Sequence, residues 1–97
     1  MDKRLNNLGL CFKAGYVLVG ENLVVEALRK GEIIYIFLAS DAGKNTAKKI
    51  YDKAKFYKVE VDGTYDTLAL SNTIGKENKK VLGIRKNGAS FLKILRK

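Results

Sequence analysis

Histidine and proline are both missing from this 97-residue chain, and cysteine occurs once, at Cys11. With no histidine and no cysteine cluster, the usual ligands of zinc are lacking, and no metal is expected. A single thiol cannot close an internal disulfide, so a reducing, cytoplasmic setting is the default expectation. Any hydrolytic nucleophile, whether Ser40, Ser71 or Cys11, would need a lysine or carboxylate base, and no spacing in the chain pairs them. Neither an enzyme nor a cofactor is therefore expected. Long apolar runs are also absent: the longest, Ile33 to Ala39, is far shorter than the ~20 residues of a membrane helix. The N-terminus carries Asp2, Lys3 and Arg4 and interrupts its leucines with Asn6, Asn7 and Lys13, so no secretory apolar core is expected either. The lack of proline removes one usual marker of loop boundaries, which leaves the order of elements better defined than their edges. Repeats, low-complexity segments and linkers are lacking as well.

What is present suits one compact domain over residues 1–97. The chain is 46% hydrophobic, and at this length a domain buries roughly 60–65% of its extended-chain surface. Its net charge is +9. Residues 1–40 carry five Lys/Arg against four Asp/Glu, whereas residues 41–97 carry fourteen against six. A basic surface built mainly from the second half follows. Such an excess speeds association with polyanions and makes it salt dependent, but charge alone does not separate RNA from DNA, acidic protein or anionic membrane.

The apolar pattern predicts alternating elements. Leu5, Leu8, Cys11 and Phe12 form one helical stripe over residues 3–13, ended by Ala14 and Gly15. Tyr16 to Val19 reads as a short strand. Asn22 to Lys30 reads as a helix burying Val24, Ala27 and Leu28, with Gly31 at its C-terminal cap. Ile33 to Ala39, apolar on both sides and rich in β-branched residues, reads as a central parallel strand. Lys44 to Phe56 places Ala47, Ile50, Tyr51 and Ala54 on one stripe, while Lys44, Lys48, Lys49, Lys53 and Lys55 avoid it, giving an amphipathic helix with a lysine-covered face. A strand over Lys58 to Val61, a turn at Asp62 and Gly63, a helix over Asp66 to Ile74, a strand over Lys80 to Arg85 and a helix over Ala89 to Leu95 complete the chain. This alternation predicts an α/β fold, a three-layer α/β/α sandwich with a four-stranded, mostly parallel mixed sheet.

Three segments carry candidate chemistry. The strand Tyr16 to Val19 runs through Gly20 into a helix that opens with Glu21 and Asn22, and the first N–H groups of a helix lack internal partners and mark its positive end. Such a junction presents donors to an anion or a nucleobase, and the Asn22 amide offers a donor and an acceptor together. A second, basic loop, Lys76, Glu77, Asn78, Lys79 and Lys80, is expected to emerge beside the Gly20 turn. The third segment, Asp41 to Thr46, invites a phosphate-loop reading that fails: Leu38 stands where the first glycine should be, and Asn45 where a serine or threonine should follow Lys44. Asp41 or Ser40 is expected instead to cap the lysine-rich helix.

In order and spacing these motifs resemble the kink-turn RNA-binding ribosomal proteins of the L-seven-Ae and L-thirty-e superfamily, and among them its small bacterial YlxQ-like members. The matching runs are Lys13 to Gly15; Gly20 to Val25; Leu38 to Ala42; Asn45 to Lys49; and Ser71 to Glu77, so the resemblance spans nearly the whole chain. It implies a noncatalytic, cytoplasmic RNA-binding protein, part of a ribonucleoprotein. In that family the N-terminal end of the second helix enters the widened major groove of a kink-turn, a bent duplex built on tandem sheared G·A pairs. On the resemblance Gly20 allows close backbone approach, Glu21 and Asn22 face the G·A pairs, and Lys76 to Lys80 cover the flipped-out nucleotides. The implied partners are structured RNA, ribosomal RNA included, and ribosomal or RNA-processing proteins, without a membrane. Recognition of an irregular element by shape and exposed bases is also the general habit of RNA-binding proteins.

The chain departs from the archaeal pattern at several positions. Leu23 follows the asparagine where a glutamate is usual, and Glu26 stands where a lysine lies about one turn later. Arg29, the next turn along, is the residue that would restore positive charge, and Leu23 and Arg29 are counted with the expected RNA contacts. The covering loop is basic here and mainly apolar in archaeal members, which favours a grip on phosphates. A protein-interaction or ribosome-assembly module using the basic face is the alternative reading.

Overall fold

The computed structural model describes residues 2–88, so the helix expected over Ala89 to Leu95 lies outside the described residues. The elements run α1 (Lys3–Lys13), β1 (Val17–Val19), α2 (Glu21–Arg29), β2 (Ile33–Leu38), α3 (Lys44–Tyr57), β3 (Glu60–Asp62), α4 (Thr67–Thr73) and β4 (Val81–Arg85), followed by a 3-10 turn, Lys86–Gly88. Asp2 starts α1 by accepting from the Arg4 amide at 2.8 Å. Asp66 starts α4 by accepting from Ala69 at 2.8 Å. At the end of α2, Gly31 takes the left-handed conformation (φ +70°), and the next amide, Glu32, returns to the Ala27 carbonyl, closing the helix as the sequence predicts.

The four strands form one mixed sheet in the order β1-β4-β2-β3. β2 and β3 pair in parallel with Ile36 opposite Val61, whereas β4 runs antiparallel to both β1 and β2. Three strands therefore share a direction, as expected for a mostly parallel sheet, but two of the three pairings are antiparallel. The correction has a simple cause: β4 is inserted between β1 and β2, where it is antiparallel to each neighbour. A bulge between Ile33 and Tyr35 lets β2 enter that pairing.

The alternation of β2 divides the core. Tyr35, Phe37 and Ala39 face α1 and α4, packing with Leu8, Cys11, Leu70 and Ile74. Ile36 and Leu38 face α2 and α3, packing with Val24, Leu28, Ile50 and Ala54. The three layers are those predicted, and Cys11 is fully buried, its thiol pushed up to about 11 by burial. Tyr51 leaves the expected stripe: it is 47% exposed, and Tyr57 packs against the core instead. The expected turn at Asp62 is also shifted, since Asp62 ends β3 opposite Phe37 and is buried. Its carboxylate accepts from Arg4 at 2.8 Å, from the Tyr35 hydroxyl at 3.0 Å and from the Thr64 amide at 3.0 Å, which makes the burial tolerable.

Candidate nucleic-acid interface

Because β1, β2 and β3 run the same way, α2, α3 and α4 all begin at one end of the sheet. Antiparallel β4 starts at that end too. Two backbone hydrogen bonds join these segments, Gly20 N–H donating to the Val81 carbonyl at 2.9 Å and Ala39 N–H to the Lys80 carbonyl at 2.8 Å. The Gly20 turn and the basic loop, separated by more than fifty residues in sequence, thus lie side by side. They share a depression of about 250 Å³ lined by Gly20, Glu21, Thr46 and residues Asn78 to Val81. Carboxyl ends of parallel strands are a common place for ligands.

Gly20 has φ +111° and ψ 146°, a region that residues with a Cβ rarely enter, and a Cβ placed there would meet nothing within 4 Å. The glycine is thus required by the backbone turn, and the space above it is open to a ligand. It is also the N-cap of α2 and offers no side-chain cap, so among the described residues the Glu21, Asn22 and Leu23 amides have no backbone acceptor and leave the positive end of the helix uncovered. Asn22 is exposed, and its amide makes no hydrogen bond among the described residues.

Glu21 is differently placed. Its carboxylate accepts from the Thr46 hydroxyl at 2.9 Å and pairs with the Lys49 ammonium at 3.1 Å, and these two partners hold its carboxyl below the usual range. Glu21 lines the depression while bracing α2 against α3, and it offsets part of the local positive charge.

The basic loop divides into two halves. Asn78, itself left-handed at φ +55°, sits with Lys79 and Lys80 beside Gly20. Lys76 turns toward α1, its ammonium 6.0 Å from the Phe12 ring centroid. Lys76 and Glu77 line a second depression of about 520 Å³ with Asp41, Thr67 and Asn72. Lys80 ties the halves together by donating to Thr67 Oγ1 and Asn78 Oδ1, each at 3.2 Å.

Of the expected contacts, Gly20, Glu21, Asn78, Lys79 and Lys80 line this depression, whereas Asn22, Leu23, Arg29, Lys76 and Glu77 do not. Leu23 is 53% exposed but lines a separate hollow with Leu18 and Glu26 on the flank of α2. Arg29 lies in the last turn, about 12 Å further along the axis than Glu21. Glu26 is held by Lys30 at 3.6 Å. The expected capping of α3 is corrected as well: its N-cap is Gly43, with no side-chain cap bond. Asp41 is taken by α4, accepting from the Thr67 amide at 2.9 Å and the Thr67 hydroxyl at 2.6 Å, which hold its carboxyl low.

Sequence reasoning missed the residues that position the loop. Buried Ser71 holds the Lys79 backbone, and Thr46 anchors Glu21. The Thr46 bond spans 25 residues and the Ser71 bonds reach from α4 across the following loop, so no helical or strand spacing announces either. Among the described residues there is no cluster of metal-binding side chains and no helix long and apolar enough to cross a membrane.

No family model matches the chain. Among solved structures, a Bacillus halodurans protein of unknown function superposes with a TM-score of 0.89 at 32% identity, covering 100% of both chains. A 15.5 kD RNA-binding protein of Giardia lamblia superposes at 0.84 with 16% identity, covering 97% of this chain and 82% of its own. The fold class is thus an α/β/α sandwich on a four-stranded mixed sheet, shared with both of these structures. Two curated relatives carry the name RNA-binding protein YlxQ. That of Enterococcus faecium is 36% identical over 87 residues, 90% of this chain and 84% of the relative. That of Bacillus subtilis is 37% identical over 81 residues, 84% of this chain and 81% of the relative. The chain belongs to the YlxQ family.

Proposed function

We propose that this protein is a noncatalytic, cytoplasmic RNA-binding protein that recognises kink-turn RNA, in ribosomal RNA or a structured regulatory RNA. The observation that carries the reading is the convergence of the Gly20 turn and the Asn78 to Lys80 loop around one open depression. The names of its YlxQ relatives support RNA as the ligand class. In this reading the uncovered α2 amides and the Asn22 amide meet base edges and phosphates at the turn, while Lys79 neutralises the backbone beside them. Sheared G·A pairs suit such a surface because they expose base edges in a widened groove. The deciding measurement is affinity for a kink-turn duplex and for the same RNA with its G·A pairs converted to Watson–Crick pairs, at two salt concentrations. Tight binding to the first alone is expected. Equal, salt-sensitive binding to both would leave only a basic surface and overturn the kink-turn assignment.

The exposed Leu23 and its hollow favour a second reading, in which the protein docks an assembly partner. A partner captured equally with and without ribonuclease treatment would support it.

A further inference from the structure

The function proposed above uses one end of the sheet and leaves most of the positive charge unassigned. From Lys44 to the C-cap Lys58, α3 carries six lysines against one acid, Asp52. Lys49 is paired with Glu21, whereas the side chains of Lys44, Lys48, Lys53, Lys55 and Lys58 form no ion pair or hydrogen bond among the described residues. All five are exposed. Lys44, Lys48 and Lys55 stand at i, i+4 and i+11, a spacing that puts them in one row about 16 Å long on the outer side of the helix. Buried Ile50 and Ala54, roughly 120° round the helix from this row, fix its inner side against the sheet. Like charges at i, i+4 repel, so the Lys44–Lys48 arrangement is mildly unfavourable for the helix by itself.

The helix that carries the row is joined to the candidate recognition end. The Glu21 bonds to Thr46 and Lys49 fasten the first turns of α2 and α3 together, so α3 leads away from the Gly20 depression as a rigid rail. Its apolar exposure is divided between Tyr51, 47% exposed, and Phe56, 76% exposed, with charge dominating the surface between them. The row lies on a different side of α3 from Thr46 and Lys49 but starts at Lys44, in the first turn of the helix that begins at the candidate RNA-binding end, and a row of unpaired cations there is complementary to a duplex backbone.

We infer that the Lys44, Lys48 and Lys55 row of α3 is a second RNA contact, which holds the phosphate backbone of the duplex arm leaving the kink-turn. This inference rests on the kink-turn reading. Duplex length then becomes part of recognition: a target with an extended arm on this side binds more tightly than one trimmed near the G·A pairs, although the paired bases of the arm are not read.

The test is a titration of the wild-type chain, of the triple variant Lys44→Gln, Lys48→Gln, Lys55→Gln, and of a charge-matched control, Lys3→Gln, Lys13→Gln, Lys86→Gln, against trimmed and arm-extended kink-turns over a salt series. The wild type is expected to bind the extended RNA more tightly and with a steeper salt dependence. The α3 variant is expected to lose that gain, with a log–log salt slope on extended RNA smaller by about two to three, and to bind trimmed RNA within about twofold of wild type. The control keeps the gain. A wild type indifferent to arm length, an α3 variant weakened equally on both RNAs, or a control that matches it would each overturn the inference. A trimmed kink-turn with converted G·A pairs separates the two levels. Discrimination that survives any of those failures leaves the proposed function standing, and its absence removes both.

Discussion

Ser71 and Lys79 form a closed pair: the buried serine hydroxyl accepts from the Lys79 amide at 2.8 Å and donates to the Lys79 carbonyl at 3.2 Å. One side chain of α4 thereby fixes the backbone of the loop that stands beside Gly20. Ser71→Ala is expected to destabilise the protein by about 1–3 kcal/mol, because two polar groups lose their partner at once. Denaturant unfolding reads that cost. Faster hydrogen exchange at the Lys79 amide, with weaker RNA binding, would show that the loop itself has loosened; a stability loss with unchanged exchange would place the effect elsewhere.

Asn22→Ala and Lys79→Gln are expected to behave differently. The Asn22 amide is exposed and makes no hydrogen bond among the described residues, so its removal should change stability by less than about 0.5 kcal/mol. It should nevertheless cost about 1–3 kcal/mol in binding a kink-turn and relax discrimination against plain duplex. Lys79→Gln should weaken binding to both RNAs alike and lower the salt slope by about one. Affinities of both variants for both RNAs check the contrast, and an Asn22→Ala variant that loses equally on the two would remove base readout from this helix end.

Gly20→Ala is expected to cost about 1–3 kcal/mol although a Cβ would touch nothing, because the strain lies in the backbone at φ +111°. Relief of that strain would turn the first amides of α2 away from the depression. The variant should therefore lose RNA affinity under conditions where it is still fully folded, as judged by circular dichroism and titration of the same sample.

Much of this arrangement was legible in the chain because it depends on local pattern. Each predicted element among the described residues is present, since apolar period and turn residues specify it directly. The position of β4 was not legible, because a strand's own residues do not name its neighbours: Val81 to Arg85 would look the same at an edge as between β1 and β2. Asp41 is similar. Its place before α3 suggested a cap, yet the Thr67 amide and hydroxyl, 26 residues away, hold it. At the candidate site, Gly20, Asn22 and Lys79 could be singled out by residue type, whereas Ser71 and Thr46 act through contacts that exist only once the sheet has brought three helix starts together.

Asp62 gives the fold a defined sensitivity to acid. Burial alone would raise its carboxyl, but hydrogen bonds from Thr64 and Tyr35 and the charge of Arg4 outweigh burial and hold it below the ordinary value of 3.8. As pH falls, the unfolded chain therefore takes up this proton first. The stabilisation from ionised Asp62 is fully present above the unfolded value and is lost as pH drops through the lower folded value. Asp62→Asn is expected to be less stable than wild type at neutral pH by about 1–3 kcal/mol, since Arg4 loses its ion pair and a set of donors loses its charged acceptor. Below pH 3.8 the gap should narrow as wild type loses the same charge. Asp2, Glu21 and Asp41 also have lowered values and remain in both proteins, so the difference between the two stability curves isolates Asp62. Denaturant unfolding of both proteins from pH 2 to pH 6 measures it, and a gap independent of pH would mean that the Asp62 network stabilises the fold through shape and hydrogen bonding without its charge.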